Sequence, residues 1–264
     1  MKIFLTGGTG FIGSNFIQYA LKKNHVLIAI KNKKTNINNK KNKNLIWLDG
    51  RLNDNFYDYM KKCDVLVHLA AHGVSPKNTS LKNALKYNCE HSQSLLRQSI
   101  KADIKKVILV GTSQEYGLKA SLGSNISVKS NLKPMTNYAI SKVKFYQLSK
   151  KMFKDTDVKV TYLRIFNAYG KGQSQDSLWG NLQKKSKLDQ NVFIKNPNRR
   201  LDLININSVV NSIEENLRFQ KNKKGVMLVK NIGSGKPITI KKFVEKEWKK
   251  MKSIGKINYK VQND

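Results

Sequence analysis

Glycines at positions 7, 10 and 13 fall between a short β-branched and aromatic run, Lys2 to Thr6, and a segment of helical period from Phe11 to Lys23. Strand, tight turn and helix in that order leave few architectures open. The first glycine permits the turn, the second lets backbone approach a pyrophosphate, and the third lets the helix pack on the strand. The helix N-terminus adds N–H donors and a positive dipole for the phosphates. Gly7, Gly10, Phe11, Ile12 and Gly13 are therefore expected to bind a dinucleotide.

The chain beyond this turn continues the same pattern. His25 to Ile30, Asn44 to Leu48, Asp64 to Leu69, Lys106 to Val110 and Val158 to Ile165 read as strands, and Leu81 to Ile100 and Asn137 to Phe153 as helices. Strands separated by helices of this length predict right-handed crossovers and a doubly wound parallel sheet, an α/β fold of the Rossmann type. After Phe166 the elements shorten: Leu203 to Ile206 and Val226 to Val229 read as strands, Ser208 to Phe219 and Thr239 to Met251 as helices. The expected organisation is a dinucleotide-binding domain over residues 1–166, rejoined by 203–230, and a small substrate-binding lobe from 167–202 and 231–264.

Composition narrows the function classes. The formal net charge is +33, built mostly on lysines scattered over helices and loops, with a Lys/Asn-rich stretch from Lys31 to Lys43 that reads as an exposed loop. Clustered cations release counterions from nucleic acid, but no aromatic-interleaved patch is present, so nucleic acid is disfavoured as a partner. The excess would still draw in anionic ligands. Cys63 and Cys89 lack CxxC spacing and nearby His, so neither a disulfide nor a metal site is expected. The N-terminal apolar run is too short for a signal peptide and no later run reaches membrane-spanning length, which reads as a cytoplasmic chain with no membrane partner.

Tyr138-Ala139-Ile140-Ser141-Lys142 places a phenol and an ammonium at i and i+4, on one helix face. A cation about 4 Å from a phenolate, at an effective dielectric near 20, stabilises it by about 4 kcal/mol, or about three pKa units. Tyr138 is thus expected to fall from about 10 towards 7 and to exchange a proton with a carbinol or carbonyl oxygen. The fifth strand ends in Val110-Gly111-Thr112-Ser113-Gln114-Glu115, and the carboxyl ends of parallel strands are where open sheets bind ligand. The Thr112 hydroxyl there can orient the same substrate oxygen. From Ser14 to Leu48 there is no Asp or Glu to hold a ribose 2′-hydroxyl, and the second strand runs into Lys31. Lys31 either pairs with a 2′-phosphate or belongs to the basic loop, so the cofactor is NADP(H) or NAD(H), leaning to NADP(H).

With these residues in place the chain resembles the extended short-chain dehydrogenase/reductases, the NAD(P)-dependent nucleotide-sugar epimerases, dehydratases and reductases. T-G-G-T-G-F-I-G, D-V-L-V-H-L-A-A, Y-N-C-E, G-T-S-Q-E-Y-G, Y-A-I-S-K, L-R-I-F-N-A-Y-G and N-I-G-S-G follow in the family's order. The resemblance implies that Thr112, Tyr138 and Lys142 form the catalytic triad, with Lys142 also holding the nicotinamide ribose. It implies that Leu69, Ala70 and Ala71 line the cofactor, that Asn88 braces the catalytic strand, and that Ser113 and Asn167 meet a nucleotide-sugar substrate. It also implies a homodimer through the helices at 81–100 and 137–153.

Three departures from the family pattern stand out. Gly50-Arg51-Leu52 replaces a Gly-Asp-Leu whose Asp serves adenine. Leu201 stands where an arginine grips the diphosphate, which moves that expectation to Arg200. The chain ends at Asp264, before a helix that relatives carry, so the lobe is expected to be short. Dehydratases resemble T-D-E or T-S-E after the threonine, whereas Ser113-Gln114 stands here, with Glu115 expected to point to the other side of an extended segment. What remains is hydride transfer at the sugar's C4, as 4-epimerisation or 4-keto reduction. A catalytically silent NADP-binding regulator and an RNA-associated Rossmann protein are the alternatives.

Overall fold

Ile3, Phe4 and Leu5 have no exposed surface, as expected of a central parallel strand covered on both faces. They lie in β1 (Lys2–Thr6), which pairs in parallel with β2 (Val26–Lys31) on one side and β4 (Val65–His68) on the other. Beyond β2 lies β3 (Leu45–Asp49); beyond β4 lie β5 (Lys106–Thr112), β6 (Lys159–Ile165) and β11 (Leu228–Ile232). The order in the seven-stranded sheet is β11-β6-β5-β4-β1-β2-β3, every pair parallel. This is a computed structural model, and it describes residues 1–36, 42–74, 79–121, 126–218 and 225–260. Residues 37–41 of the expected basic loop, Phe219 at the end of an expected helix and 261–264 lie outside that range.

Helices cover both faces. On one side α1 (Phe11–Lys22) and α7 (Ile206–Arg218) bury Phe16, Ile17, Val209 and Ile213 against the sheet. On the other, α2 (Tyr57–Met60), α4 (Ser92–Lys101) and α5 (Asn137–Phe153) bury Met60, Leu95, Leu96 and Phe145. Removing each such side chain from water contributes about 1.5–3 kcal/mol. The expected helix over 81–100 is interrupted: α3 (Leu81–Leu85) runs into a π-helical turn, Lys86–His91, before α4 resumes the ordinary pitch. The start of α5 is fixed by Thr136, whose hydroxyl accepts from the backbone N–H of Ala139 at 3.1 Å, a side-chain cap of the ordinary kind.

The C-terminal elements build a third core around Leu182, Val192, Ile194, Phe243 and Trp248. Its parts are α6 (Leu178–Lys187), α8 (Ile240–Lys250), and β8 (Val192–Lys195) paired in parallel with β13 (Ile257–Lys260). The strand read at Leu203 to Ile206 is β10 (Leu203–Asn205), and it pairs with β7 (Asn167–Tyr169) rather than with the large sheet. The return to the large sheet is made by α7 and β11, the latter two residues beyond the run read at 226–229. β9 (Arg200–Leu201) and β12 (Ile238–Thr239) form a further antiparallel pair.

Candidate active site

The turn after β1 has the conformation that its glycines allow. Gly7 has φ of +72°, and a Cβ there would come within 2.5 Å of the Ala70 backbone nitrogen. A Cβ at Gly13 would overlap the Gly7 carbonyl oxygen. No side chain caps α1 and no acidic residue sits in its first turn, so its N-terminus remains open to an anion. Above the turn lies a cavity of about 730 Å³, lined by the glycine turn, the ends of β2 and β4, and the π-helical turn. Gly7, Gly10, Phe11, Ile12 and Gly13, the residues expected from the sequence to meet a dinucleotide, all line it. We expect Gly13→Ala to abolish binding of NADH and NADPH, read as loss of nicotinamide fluorescence enhancement; retained binding would exclude this turn as the cradle.

Every cofactor residue named from the sequence lines one of two adjoining cavities. Lys31, Leu69, Ala70, Ala71 and Asn88 line the larger one. Lys31 is paired there, its Nζ 2.5 Å from Asp49 Oδ1 on the neighbouring strand. Asn88 accepts from the His72 backbone N–H at 2.7 Å and donates to the His72 carbonyl and the Ser141 hydroxyl, both at 2.9 Å. It thus joins the loop after β4 to α5.

The second cavity, about 380 Å³, sits over the ends of β5 and β6 and shares Phe11, Ile12, Leu69 and Ala71 with the first. Thr112, Ser113, Tyr138, Lys142 and Asn167 all line it. Thr112 Oγ1 accepts from the Gln114 N–H at 3.3 Å, and Asn167 donates to the Asp202 carbonyl at 3.0 Å. Arg200 is not brought to this group: it is exposed, with Nη2 donating to the Pro237 carbonyl at 2.9 Å, and Leu201 lines the cavity instead. Trp179 from α6, which was not read from the sequence, Leu203 from β10 and Phe243 from α8 also line it. Gln173 Oε1 is buried there with no hydrogen-bond partner among the described residues, an acceptor suited to a ligand hydroxyl.

The electrostatics correct one expectation. Burial, and then the charge of Glu115, hold the Tyr138 phenol above its ordinary value instead of drawing it towards 7. Helical spacing alone implies a full ammonium near a solvated phenol, whereas Lys142 is buried and Tyr138 half-buried. Burial lowers Lys142 to about 8, with Glu115 and Cys89 acting in the other direction. Its Nζ also lies 4.7 Å from the centre of the Phe145 ring. His68, hydrogen-bonded to Thr6 and Ser92, is lowered to about 3 by burial and then by Lys142, so it stays neutral.

Glu115 is a second correction. Residues Ser113–Ser121 form a 3-10 segment rather than an extended one, and Glu115 turns inward, where Oε2 lies 2.7 Å from Arg164 Nε. Arg164 and Tyr162 were not singled out from the sequence. Their signal was the spacing of two, which puts both on one face of a strand otherwise read as apolar.

This is the arrangement that the family resemblance implies: a Rossmann-type sheet whose glycine-turn cavity adjoins a second one lined by Thr112, Tyr138 and Lys142. Comparison with known proteins agrees: residues 3–229 match the model of the NAD dependent epimerase/dehydratase family, and the chain belongs to that family. It is 30% identical over 202 residues to the dTDP-D-glucose 4,6-dehydratase of Dictyostelium discoideum, covering 67% of this chain and 46% of that protein. It is 26% identical to the UDP-glucose 4-epimerase of Lactobacillus helveticus, covering 64% and 52%. The chain thus spans about half the length of these curated relatives. Among solved structures, MoeE5 in complex with UDP-glucuronic acid and NAD superposes with a TM-score of 0.83 at 22% identity, covering 100% of this chain and 86% of that one. No helix among the described residues is long and apolar enough to cross a membrane.

Proposed function

We propose that this chain is an NAD(P)-dependent nucleotide-sugar oxidoreductase acting at C4 of the sugar ring, with Tyr138 as the acid/base. The reading is carried by the convergence of Thr112, Tyr138 and Lys142 on a cavity that shares a wall with the dinucleotide cradle. The nicotinamide would supply or accept hydride at C4. Tyr138 exchanges the proton of the C4 oxygen, Thr112 orients that oxygen, and Lys142 places a positive charge beside them. A phenol held in its protonated form suits giving a proton, the direction that reduction of a 4-keto sugar requires. Ser113, Gln114 and the inward-turned Glu115 offer no carboxylate to the cavity, which speaks against dehydration.

For the cofactor we favour NADP(H), because Lys31 and Arg51 both line the larger cavity. A homodimer through the helices over 81–100 and 137–153, where Leu81 of α3 and Tyr87 of the π-helical turn are exposed, fits the same reading. The deciding experiment follows nicotinamide absorbance with NADH and NADPH against 4-keto and 4-hydroxy nucleotide sugars, with NMR analysis for epimers. We expect cofactor consumption with a 4-keto sugar and a KM for NADPH that rises in Lys31→Ala while that for NADH does not. If no sugar is reduced or epimerised, the enzymatic reading fails; equal changes for both cofactors would remove the NADPH preference.

A further inference from the structure

Glu115 has no exposed surface, and a buried carboxylate must be matched by partners to persist. Its Oε2 accepts from Arg164 Nε at 2.7 Å, while Oε1 accepts from the Thr112 backbone N–H at 2.9 Å and from the Tyr162 hydroxyl at 2.8 Å. The Tyr162 hydroxyl also lies 3.2 Å from the carbonyl oxygen of Lys142. One carboxylate therefore touches the last residue of β5 and, through one phenol, reaches the turn of α5 that carries Lys142. Its counter-ion is itself fixed: Arg164 Nη1 donates to the Tyr116 hydroxyl at 2.9 Å, and its guanidinium carbon lies 4.9 Å from the Tyr146 ring centre. Tyr116 in turn donates to Asn231 Oδ1 at 2.7 Å.

We propose that Glu115 is a positioning residue of the active site, holding the Thr112 backbone and the Lys142 turn at a fixed separation through Oε1 and Tyr162, with Oε2 anchored on Arg164. The inference rests on the reading of Thr112, Tyr138 and Lys142 as the reacting set. Its charge adds a second effect, because it favours the ammonium of Lys142 and opposes ionisation of Tyr138. The other titratable groups coupled to Lys142 are the neutral His68 from β4 and the Cys89 thiol from the π-helical turn, and the Tyr162 hydroxyl from β6 meets its backbone carbonyl. Cys89 is raised to about 11 by burial and so stays a thiol below that pH. Glu115 is thus the anion of this group.

Three variants separate position from charge: Glu115→Gln removes the charge, Glu115→Asp keeps it but shortens the reach, and Tyr162→Phe cuts the link to α5. One measurement is a pH titration of Lys142 by NMR of lysine-Cε-labelled protein, with Lys142→Met to identify the signal. In Glu115→Gln the midpoint is expected to fall below the native value of about 8, and in Tyr162→Phe to stay near it. The other measurement is turnover of NADPH with whichever sugar proves active. Glu115→Asp and Tyr162→Phe are expected to lose roughly 10- to 100-fold in kcat with KM little changed, as displaced catalytic groups do. An unmoved Lys142 midpoint in Glu115→Gln, or full kcat per folded molecule in the other two variants, overturns the proposal. The titration needs no turnover, so it decides even where no sugar is active, and Tyr162→Phe leaves the ion pair intact if Glu115→Gln does not fold.

Discussion

Tyr138→Phe is expected to lower kcat for nicotinamide-dependent turnover by roughly 10²- to 10⁴-fold, the range that a positioned acid/base contributes. The substitution removes one hydroxyl from the cavity that Lys142 also lines and leaves the glycine turn untouched, so NADH and NADPH should bind as before. The comparison is made by steady-state kinetics with cofactor affinity measured in parallel. The pH dependence is signed by Lys142: its ammonium is present below about 8 and lost above it, so native kcat declines on the alkaline side of that value. A Phe variant that turns over at the native rate would remove Tyr138 from the mechanism.

Arg164→Ala is the substitution with the largest expected effect on stability. Arg164 is 2% exposed and Glu115 fully buried, so truncating one leaves the other as an uncompensated charge in the interior. Removing one partner of such a pair costs about 3–5 kcal/mol, to which loss of the packing against Tyr116, Tyr146 and Tyr162 adds. Urea unfolding should therefore show a large fall in midpoint. Replacing both partners by apolar residues, as in Glu115→Leu with Arg164→Met, should recover part of the loss. A change within the range of a surface substitution would mean that the pair is solvated and that its role in the core has been misread.

Much of this was legible in advance, for reasons that lie in particular residues. The strands of the large sheet announce themselves by apolar, β-branched runs, and Gly7 to Gly13 fix where the first helix begins. The catalytic residues could be gathered because parallel sheets bring their carboxyl ends to one edge, so Thr112 and Asn167 had to come near Tyr138. What sequence spacing could not supply was environment. The effect of Lys142 on Tyr138 was taken from helical geometry alone, but burial acts on both groups and reverses the expected direction for the phenol. The Glu115–Arg164 pair joins residues 49 positions apart, and it depends on a 3-10 turn that the run after β5 does not signal. The small lobe was hardest, since β7, β9 and β12 are two or three residues long, too short for a periodic pattern to register.

The π-helical turn at Lys86–His91 adds one residue of slack to a helix whose two ends both cover the same sheet. Leu85 and Leu95, on either side of it, pack against one core. Asn88 lies within the turn and hydrogen-bonds the backbone N–H and carbonyl of His72 and the hydroxyl of Ser141. An irregularity in the scaffold is thereby converted into rigidity at the cavity's edge, and the loop that would lie against the cofactor is tethered by a side chain rather than by a strand.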